Sequence, residues 1–324
     1  MNSGIRTTLV SRRTGRMASV GLLVMAALAA GLPFSPAAGG STAMPPTTIS
    51  HYETGVDAGT LVAQGKAAGQ AGAQGLAILD FGRPAANGAT SGTMDFAGNF
   101  VSLASIVSAT ISYVRGYFAG AAPNLRLEVV IGTNNSCGTG QPCGSIVCGC
   151  KSEPPSFTAW GAQLAAAVEQ AQSATNSLRS RSGYTDRVTV VAGDDAEPAF
   201  DPGYQNTYDL LAGYANAVGG FQPAMIDFGS AESGYWSNDQ LLQIADGFRP
   251  DVAVPEAYFG SEVASWASLI SYAMSRGRVL TVYGVLANTG GGGYSPPVGY
   301  ASLVNAIRPI TGQTAIRWSS DINH

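Results

Sequence analysis

The strongest constraint on the fold is a repeating alternation of short apolar segments with segments of helical length. From residue 76 onward, seven stretches rich in Val, Ile and Leu have the length and composition of buried β-strands. Between them, apolar residues recur every three or four positions, which is typical of amphipathic helices. The predicted strands are 76–81, 126–132, 187–193, 224–229, 251–256, 279–285 and 314–318.

Strands joined by crossover helices run parallel, and either a closed barrel or a doubly wound open sheet satisfies this pattern. Two observations favour the barrel. Polar, acidic or aromatic residues end nearly every strand, and a barrel gathers such residues at one mouth. The first strand is not followed by the G-x-G-x-x-G of dinucleotide folds. We predict an α/β fold, a single (β/α)8 TIM-like barrel over residues 44–324, with an eighth strand that lies within 44–56 or is irregular or missing. The strand-end residues are Asp80, Asn134, Asp194, Asp227, Glu256, Asn288, Trp318 and Asp321.

Charge and histidine content exclude several classes of function. The formal net charge is -4, and the first 43 residues contain four arginines and no acids, so the remaining 13 basic and 21 acidic residues give -8. An acidic protein of this kind is poorly suited to binding nucleic acid or an anionic membrane surface. Only His51 and His324 are present. This scarcity argues against a Ser-His-Asp triad and against a multi-histidine zinc site.

Residues 1–43 have the pattern of a cleavable export signal with a small-residue flank. Arg6, Arg12, Arg13 and Arg16 precede the apolar run "MASVGLLVMAALAAGLPF" and the small-residue stretch "SPAAGGSTA". The apolar run is short for a membrane span. The sequence therefore predicts a secreted, extracellular protein with no membrane attachment after cleavage, and it leaves the general and twin-arginine export routes open.

The four cysteines fall in one stretch, "CGTGQPCGSIVCGC". An even number of cysteines in an exported protein predicts disulfides, with three connectivities to choose from. A bridge between the last two would close a very small ring, so we expect both bridges to link the first pair to the second. The spacing does not match that of a zinc site. The predicted disulfide residues are Cys137, Cys143, Cys148 and Cys150.

The stretch "VTVVAGDDAEPAFD" runs from a predicted buried strand into a group of acids. Residues two apart on an extended chain point the same way, so Asp195 and Glu197 should both face the mouth while Asp194 faces elsewhere. Such a carboxyl pair suits glycoside hydrolysis, because one group must stay protonated to act as the acid and a neighbouring carboxylate raises its pKa. The alternative is that these acids simply cap the next helix.

Glu256, at the end of "DVAVPE", is the candidate for a second catalytic group, either nucleophile or general base. The alternative for Glu256 is a buried carboxylate paired with an arginine. Asp227 has the alternation of an inward-facing residue, and Asp80 either faces the mouth or pairs with Arg83. Sugar rings stack on aromatic side chains and need polar partners for their hydroxyls. The predicted substrate-binding residues are Asp80, Asp227, Tyr258, Tyr283, Trp318 and Asn134.

The strand-end D-x-E of "VVAGDDAEP" resembles the barrels of chitinase-type and lysozyme-type glycoside hydrolases. The resemblance implies that Glu197 is the proton donor and Asp195 its helper. The longer chitinase pattern has a further Asp two positions earlier, where this chain has Gly193. The chain also resembles a group of exported bacterial barrel proteins of unassigned activity, through "IGTNN", "DDAEP" and "PEAYF". That resemblance spans most of residues 76–322 and implies a fold but no reaction.

We therefore expect a secreted glycoside hydrolase that cleaves a polysaccharide or cell-wall glycan without a metal or another cofactor. The alternative is a non-catalytic secreted barrel that binds glycan or envelope polymer at the same rim. A third hypothesis is a calcium site built from Asp194, Asp195 and Asp201, although their spacing lacks the order of an EF-hand loop. The sequence leaves the linkage cleaved, the stereochemical outcome and the oligomeric state open.

Overall fold

The computed structural model of the chain describes residues 43–135, 153–182, 187–199, 204–218, 224–248 and 251–323. Eight parallel strands form one sheet that curls into a nearly closed barrel, in the order β10-β11-β1-β2-β6-β7-β8-β9. The predicted TIM-like α/β barrel is confirmed. Its strands are β1 (Thr47–Tyr52), β2 (Gly75–Asp80), β6 (Leu127–Asn134), β7 (Val188–Asp195), β8 (Met225–Asp227), β9 (Asp251–Ala253), β10 (Gly284–Ala287) and β11 (Trp318–Asn323).

The barrel has one seam, where the edge strands β9 and β10 meet without a continuous ladder. Isolated parallel bridges join Ala253 to Val282 and Glu256 to Leu286. Pro255 lies between these bridges and has no N–H to donate, which interrupts regular pairing at this point. Its carbonyl still accepts a hydrogen bond of 2.9 Å from the Leu286 N–H. The two chain segments therefore stay together beside Glu256.

Apolar side chains form two layers that correspond to the two faces of the barrel wall. The inner layer includes Ile78, Val130, Val191 and Ile226, all fully or almost fully buried. Residues of the opposite alternation pack instead between the wall and the surrounding helices. The helices are α1 (Ala58–Gln70), α2 (Leu103–Gly120), α3 (Phe157–Ser182), α4 (Gln205–Val218), α5 (Asn238–Asp246), α6 (Gly260–Ser275) and α7 (Pro296–Thr311). None of the helices in the described part of the chain has the length and apolarity needed to span a membrane.

Helices α1 and α2 approach each other so closely that their contact requires glycine. A Cβ added at Gly65 would collide with the carbonyl of Tyr113, and one at Gly116 would collide with the carbonyl of Val62. Both positions have helical backbones, so the requirement comes from this close approach and not from an unusual φ angle.

A small antiparallel sheet is inserted after β2, at the end of the barrel where the strands finish. It consists of β3 (Arg83–Asn87), β4 (Thr90–Met94) and β5 (Phe100–Ser102). The indole Nε1–H of Trp160 donates a hydrogen bond of 2.9 Å to the carbonyl of Gly92 and so ties α3 to this sheet. The turn after β4 brings Phe96 against Tyr52, with ring centroids 4.8 Å apart.

The eighth strand lies within residues 44–56 as predicted, but two other strands begin later than predicted. Regular pairing starts at Gly284 in β10 and at Trp318 in β11. Segment 318–323 is easily missed because Ser319 and Ser320 interrupt its apolar pattern. Ser319 Oγ lies 3.5 Å from Thr47 Oγ1, and inside the barrel Ser320 Oγ lies 2.7 Å from Ser50 Oγ. Ser50 Oγ also accepts a hydrogen bond of 2.8 Å from the Ile78 N–H, so hydroxyl groups link the strands here.

Candidate active site

Three acids converge at the mouth of the barrel, where the strands end. Asp195 is the last residue of β7, Glu197 follows two positions later, and Glu256 lies beyond β9. Each contributes a carboxylate oxygen to a group in which all three oxygens lie within 4.8 Å of one another. The predicted convergence of these residues is confirmed, while their catalytic roles stay predictions.

Strand alternation explains why Asp195 points into the mouth. Asp195 shares its alternation with the inner-layer residue Val191, whereas Asp194 shares that of Val190 in the outer layer. Asp194 accordingly accepts a hydrogen bond of 3.1 Å from the Thr133 hydroxyl. Asp195 accepts one of 3.0 Å from the Asn134 amide through its Oδ2. Its Oδ1 is buried and has no hydrogen-bond partner among the described residues.

Two tyrosines extend the site, and only Tyr258 was predicted from the sequence. The Tyr258 hydroxyl acts to lower the pKa of Glu256, and its oxygen lies 3.2 Å from the hydroxyl oxygen of Tyr52. Tyr52 ends β1, and the signal that could have identified it is the alternation in "TTISHYE", which places Thr48, Ser50 and Tyr52 on one face.

Burial and mutual repulsion raise the pKa values of the three acids. The pKa of Asp195 is raised well above its ordinary value. Burial is the largest cause, and the charges of Glu197 and Glu256 come next. Burial, together with nearby carboxylates, also raises the pKa of Glu197 to about 8. The pKa of Glu256 is raised as well, mainly by burial and then by the charge of Glu197. Two ionised carboxylates at 4.8 Å repel by about 3.5 kcal/mol at an effective dielectric constant of about 20. The group therefore retains protons at neutral pH.

A second pair of acids lies beside the first group. Burial raises the pKa of Asp80, at the end of β2, to about 7, with a further contribution from Glu53 and an opposing one from the Gly82 N–H. Burial likewise raises the pKa of Glu53 to about 7. Asp80 follows the inward alternation and accepts a hydrogen bond of 2.9 Å from the Gly82 N–H. Its partner in the described residues is this backbone group and not Arg83. Sequence reasoning did not identify Glu53.

Three of the predicted substrate-binding residues do not lie where we expected. Asp227 shares the alternation of Met225 in the outer layer, and its neighbours Ile226 and Phe228 face inward, so the prediction that Asp227 faces the mouth is wrong. Tyr283 and Trp318 lie at the opposite end of the barrel, because Trp318 begins β11 and Tyr283 directly precedes β10. Their rings pack together with centroids 6.3 Å apart. Reading both strands too early along the chain caused this error.

Close packing explains why Gly193 precedes the D-x-E motif. A Cβ at Gly193 would lie 2.5 Å from Val130 Cγ1 and 2.9 Å from Phe228 Cε1. Phe228 therefore fills the inner position where the chitinase pattern has an additional Asp. This departure is part of how the barrel is packed.

Two exposed aromatic side chains lie in the segments that follow β8 and β9. Tyr235, in the loop after β8, is 51% exposed, and Phe259, at the start of α6, is 47% exposed. The glycine-rich loop after β10 packs beside them, since the Tyr294 N–H donates a hydrogen bond of 2.7 Å to the carbonyl of Tyr258. Each of the two exposed rings can provide a stacking surface for a sugar.

The three converging oxygens also have the spacing of a shell around one divalent cation, so Asp195, Glu197 and Glu256 are the residues that could hold a metal. Asp201, which we proposed for a calcium site, lies outside the described residues, as do the export signal, the four cysteines and His324.

A cavity of about 470 Å³ opens at the end of the barrel where the strands begin. Its lining includes Trp318, Glu128 and Arg317, and the last two form an ion pair of 3.4 Å. The guanidinium of Arg317 also lies over the Trp318 ring, 4.9 Å from its centroid. These contacts hold the bottom of the barrel together, far from the converging acids.

Comparison with known proteins adds no family to this description. Neither models of known protein families nor the curated protein sequences give a match to the chain.

Proposed function

We propose that the protein is a glycoside hydrolase whose reaction takes place at the mouth of the barrel. The observation that carries the proposal is the convergence of Asp195, Glu197 and Glu256, with one oxygen of each within 4.8 Å of the others. Glycosidic bond cleavage needs one protonated and one ionised carboxyl group on either side of the bond. A group of three carboxyls that retains protons at neutral pH supports such a division of roles.

Glu197 is the proposed general acid. Its pKa of about 8 keeps it protonated at neutral pH, and it is the least buried of the three, so a leaving-group oxygen can reach it. Glu256 is the proposed nucleophile or base, because the Tyr258 hydroxyl stabilises its ionised form. Asp195 is held by Asn134 and positions Glu197.

The short separation favours retention of configuration. Retaining enzymes place their carboxyl groups roughly 5–5.5 Å apart, whereas inverting enzymes leave roughly 6.5–9.5 Å for a water molecule. Oxygens within 4.8 Å of one another belong to the first class. Following the anomeric configuration of the first product by NMR tests this assignment.

The proposal is tested with Glu197→Gln, which keeps the size of the side chain and removes the acid. We expect the release of reducing sugar from a polysaccharide panel to fall by roughly 10²–10⁴-fold, the usual contribution of general acid catalysis. The melting temperature at pH 5 should stay close to that of the wild type. Glu169→Gln, an exposed position on α3, is the matched control and should retain full activity. Wild-type turnover by Glu197→Gln would eliminate the assignment.

A non-catalytic glycan-binding barrel is the second candidate, and the exposed rings of Tyr235 and Phe259 favour it. This function needs stacking surfaces but no acid. A wild-type protein that binds a glycan and releases no product, with unchanged affinity in Glu197→Gln, would support binding over hydrolysis.

We also propose that the protein is exported and acts on a carbohydrate outside the cell, without nucleic acid as a partner and without membrane attachment after cleavage. The support is the basic, apolar and small-residue order of residues 1–43 together with the acidic remainder of the chain. N-terminal sequencing of the protein recovered from the culture medium tests this. A product that still begins at Met1 would contradict it.

A further inference from the structure

The charged side chains are divided between the two ends of the barrel. Within the described ranges, Arg83 is the one lysine or arginine in the segments that follow the C-terminal ends of barrel strands. The other cations lie on the flanks of helices or at the opposite end, where they directly precede strands or end helices. Those at the opposite end are Arg126, Arg187, Arg276, Arg278, Arg308 and Arg317.

The mouth has the opposite composition. Besides Asp195, Glu197 and Glu256, it contains Asp80. Glu232 and Glu262 also lie close enough to Glu197 for their charges to raise its pKa. Among the described residues, none of the three converging acids forms a salt bridge. The described mouth is therefore rich in carboxyl groups and poor in cations.

An independent observation indicates that the acidic mouth is built for a ligand. Asp80 is fully buried, lies on the inner face of the wall and raises the pKa values of both Asp195 and Glu197, yet its Oδ2 has no hydrogen-bond partner among the described residues. Asp195 Oδ1 is likewise buried without a partner. Buried polar atoms are rarely left unpaired, because their desolvation is then not compensated. A ligand that brings proton donors into the mouth satisfies both oxygens.

The outer acids are accompanied by aromatic rings. Tyr235 lies three residues after Glu232, and Phe259 lies three residues before Glu262, and both rings are about half exposed. A carboxylate beside a stacking surface suits a ring that has an apolar face and a positively charged substituent. A neutral sugar would use the ring and leave the charge uncompensated, and an acidic sugar would be repelled by it.

We propose that the ligand of this mouth is a glycan of amino sugars with free, protonated amino groups. The inference rests on the proposed function, because it places the glycan in the same mouth. A basic peptide would satisfy the charge but has no flat apolar ring faces for Tyr235 and Phe259. The observations therefore favour the glycan.

The test is calorimetric titration of the purified full chain with soluble oligomers of glucosamine and of galactosamine, each beside its N-acetylated counterpart of the same length and linkage. We expect one free-amine series to bind at least about 10-fold more tightly than its acetylated counterpart at low salt. This advantage should shrink at high salt, because screening weakens exposed ionic contacts. Failure of every free-amine oligomer to bind more tightly than its counterpart would overturn the proposal. Equally tight binding of a short polylysine would overturn it as well.

Two variants outside the proposed catalytic group locate the effect. Glu232→Gln and Glu262→Gln should each weaken free-amine binding several-fold and leave acetylated binding unchanged. The Glu262 carboxylate accepts hydrogen bonds from the Tyr258 and Phe259 N–H groups, and a glutamine oxygen can accept them too. The control Glu169→Gln removes the same charge from α3 and should change neither affinity. Equal loss in the control and the two variants would overturn the proposal.

Binding and turnover separate this inference from the proposed function. Charge-dependent binding of a free-amine glycan without cleavage supports the inference and contradicts the hydrolase. Cleavage that requires Glu197 but shows no preference for free amines contradicts the inference and leaves the hydrolase supported.

Discussion

Replacing Glu197 by glutamine should stabilise the protein at alkaline pH and leave it nearly unchanged at acidic pH. In the folded protein the pKa of Glu197 is raised from 4.5 to about 8, mainly by burial and then by Glu232. The folded state therefore holds a proton that the unfolded state releases above pH 4.5. Because the folded state binds more protons in this interval, stability falls as pH rises from about 4.5 to about 8 and levels off above it.

The magnitude follows from the same shift. Each pKa unit corresponds to about 1.4 kcal/mol, so a rise from 4.5 to about 8 sets an upper limit of about 5 kcal/mol for the cost at pH 8. Asp195 and Glu256 share protons with Glu197, and its side chain is only partly buried, so we expect about 2–3 kcal/mol. For a domain of this size that corresponds to roughly 5–10 °C in melting temperature.

The assay is thermal unfolding of wild type, Glu197→Gln and the exposed control Glu169→Gln at several pH values between 4.5 and 9. We expect the Glu197→Gln curve to meet the wild-type curve near pH 4.5 and to lie above it at pH 8. The control should follow the wild type throughout. Parallel curves for wild type and Glu197→Gln, or a less stable variant at pH 8, would refute the reasoning.

Three further predictions concern packing, the tyrosine pair and metals. Gly116→Ala should destabilise the protein by about 2–4 kcal/mol in denaturant unfolding, because its Cβ would collide with the Val62 carbonyl, whereas Gly55→Ala, with open space around its Cβ, should have little effect. Tyr258→Phe removes the donor to Glu256, so kcat/KM should fall about 10- to 100-fold and the acidic limb of the pH–rate profile should move to higher pH. An unmoved limb would contradict the role of the Tyr258 hydroxyl, and the control Tyr272→Phe, whose hydroxyl contacts Asp239 at the exposed surface, should leave both quantities unchanged. Treatment with a chelator should alter neither the melting temperature nor the activity, and loss of either would favour a divalent cation at the three carboxylates over acid–base chemistry.

Much of the site could be predicted from the sequence because strand ends are readable there. The apolar run before Asp195 fixed both the end of the strand and the alternation that turns Asp195 inward and Asp194 outward. Glu256 and Asn134 were found in the same way. The prediction failed for Asp227 because the strand that it ends, Met225–Asp227, has only three residues. So short a strand offers too little alternation to define its two faces.

The order of apolar and polar segments by itself determined parallel strands joined by crossover helices, and the polar residues at the strand ends favoured a closed barrel over an open sheet. It also determined that acids would collect at one end of the barrel. Only the tertiary structure decided which residues stand there. Tyr52 and Glu53 join the site because β1 pairs with β2 and β11, a neighbourhood that is remote along the chain. Tyr283 and Trp318 are not part of the site, because closure of the barrel sets where regular pairing begins and so places both residues at the opposite end. The raised pKa values of the acids likewise come from burial and proximity, which are properties of the folded chain alone.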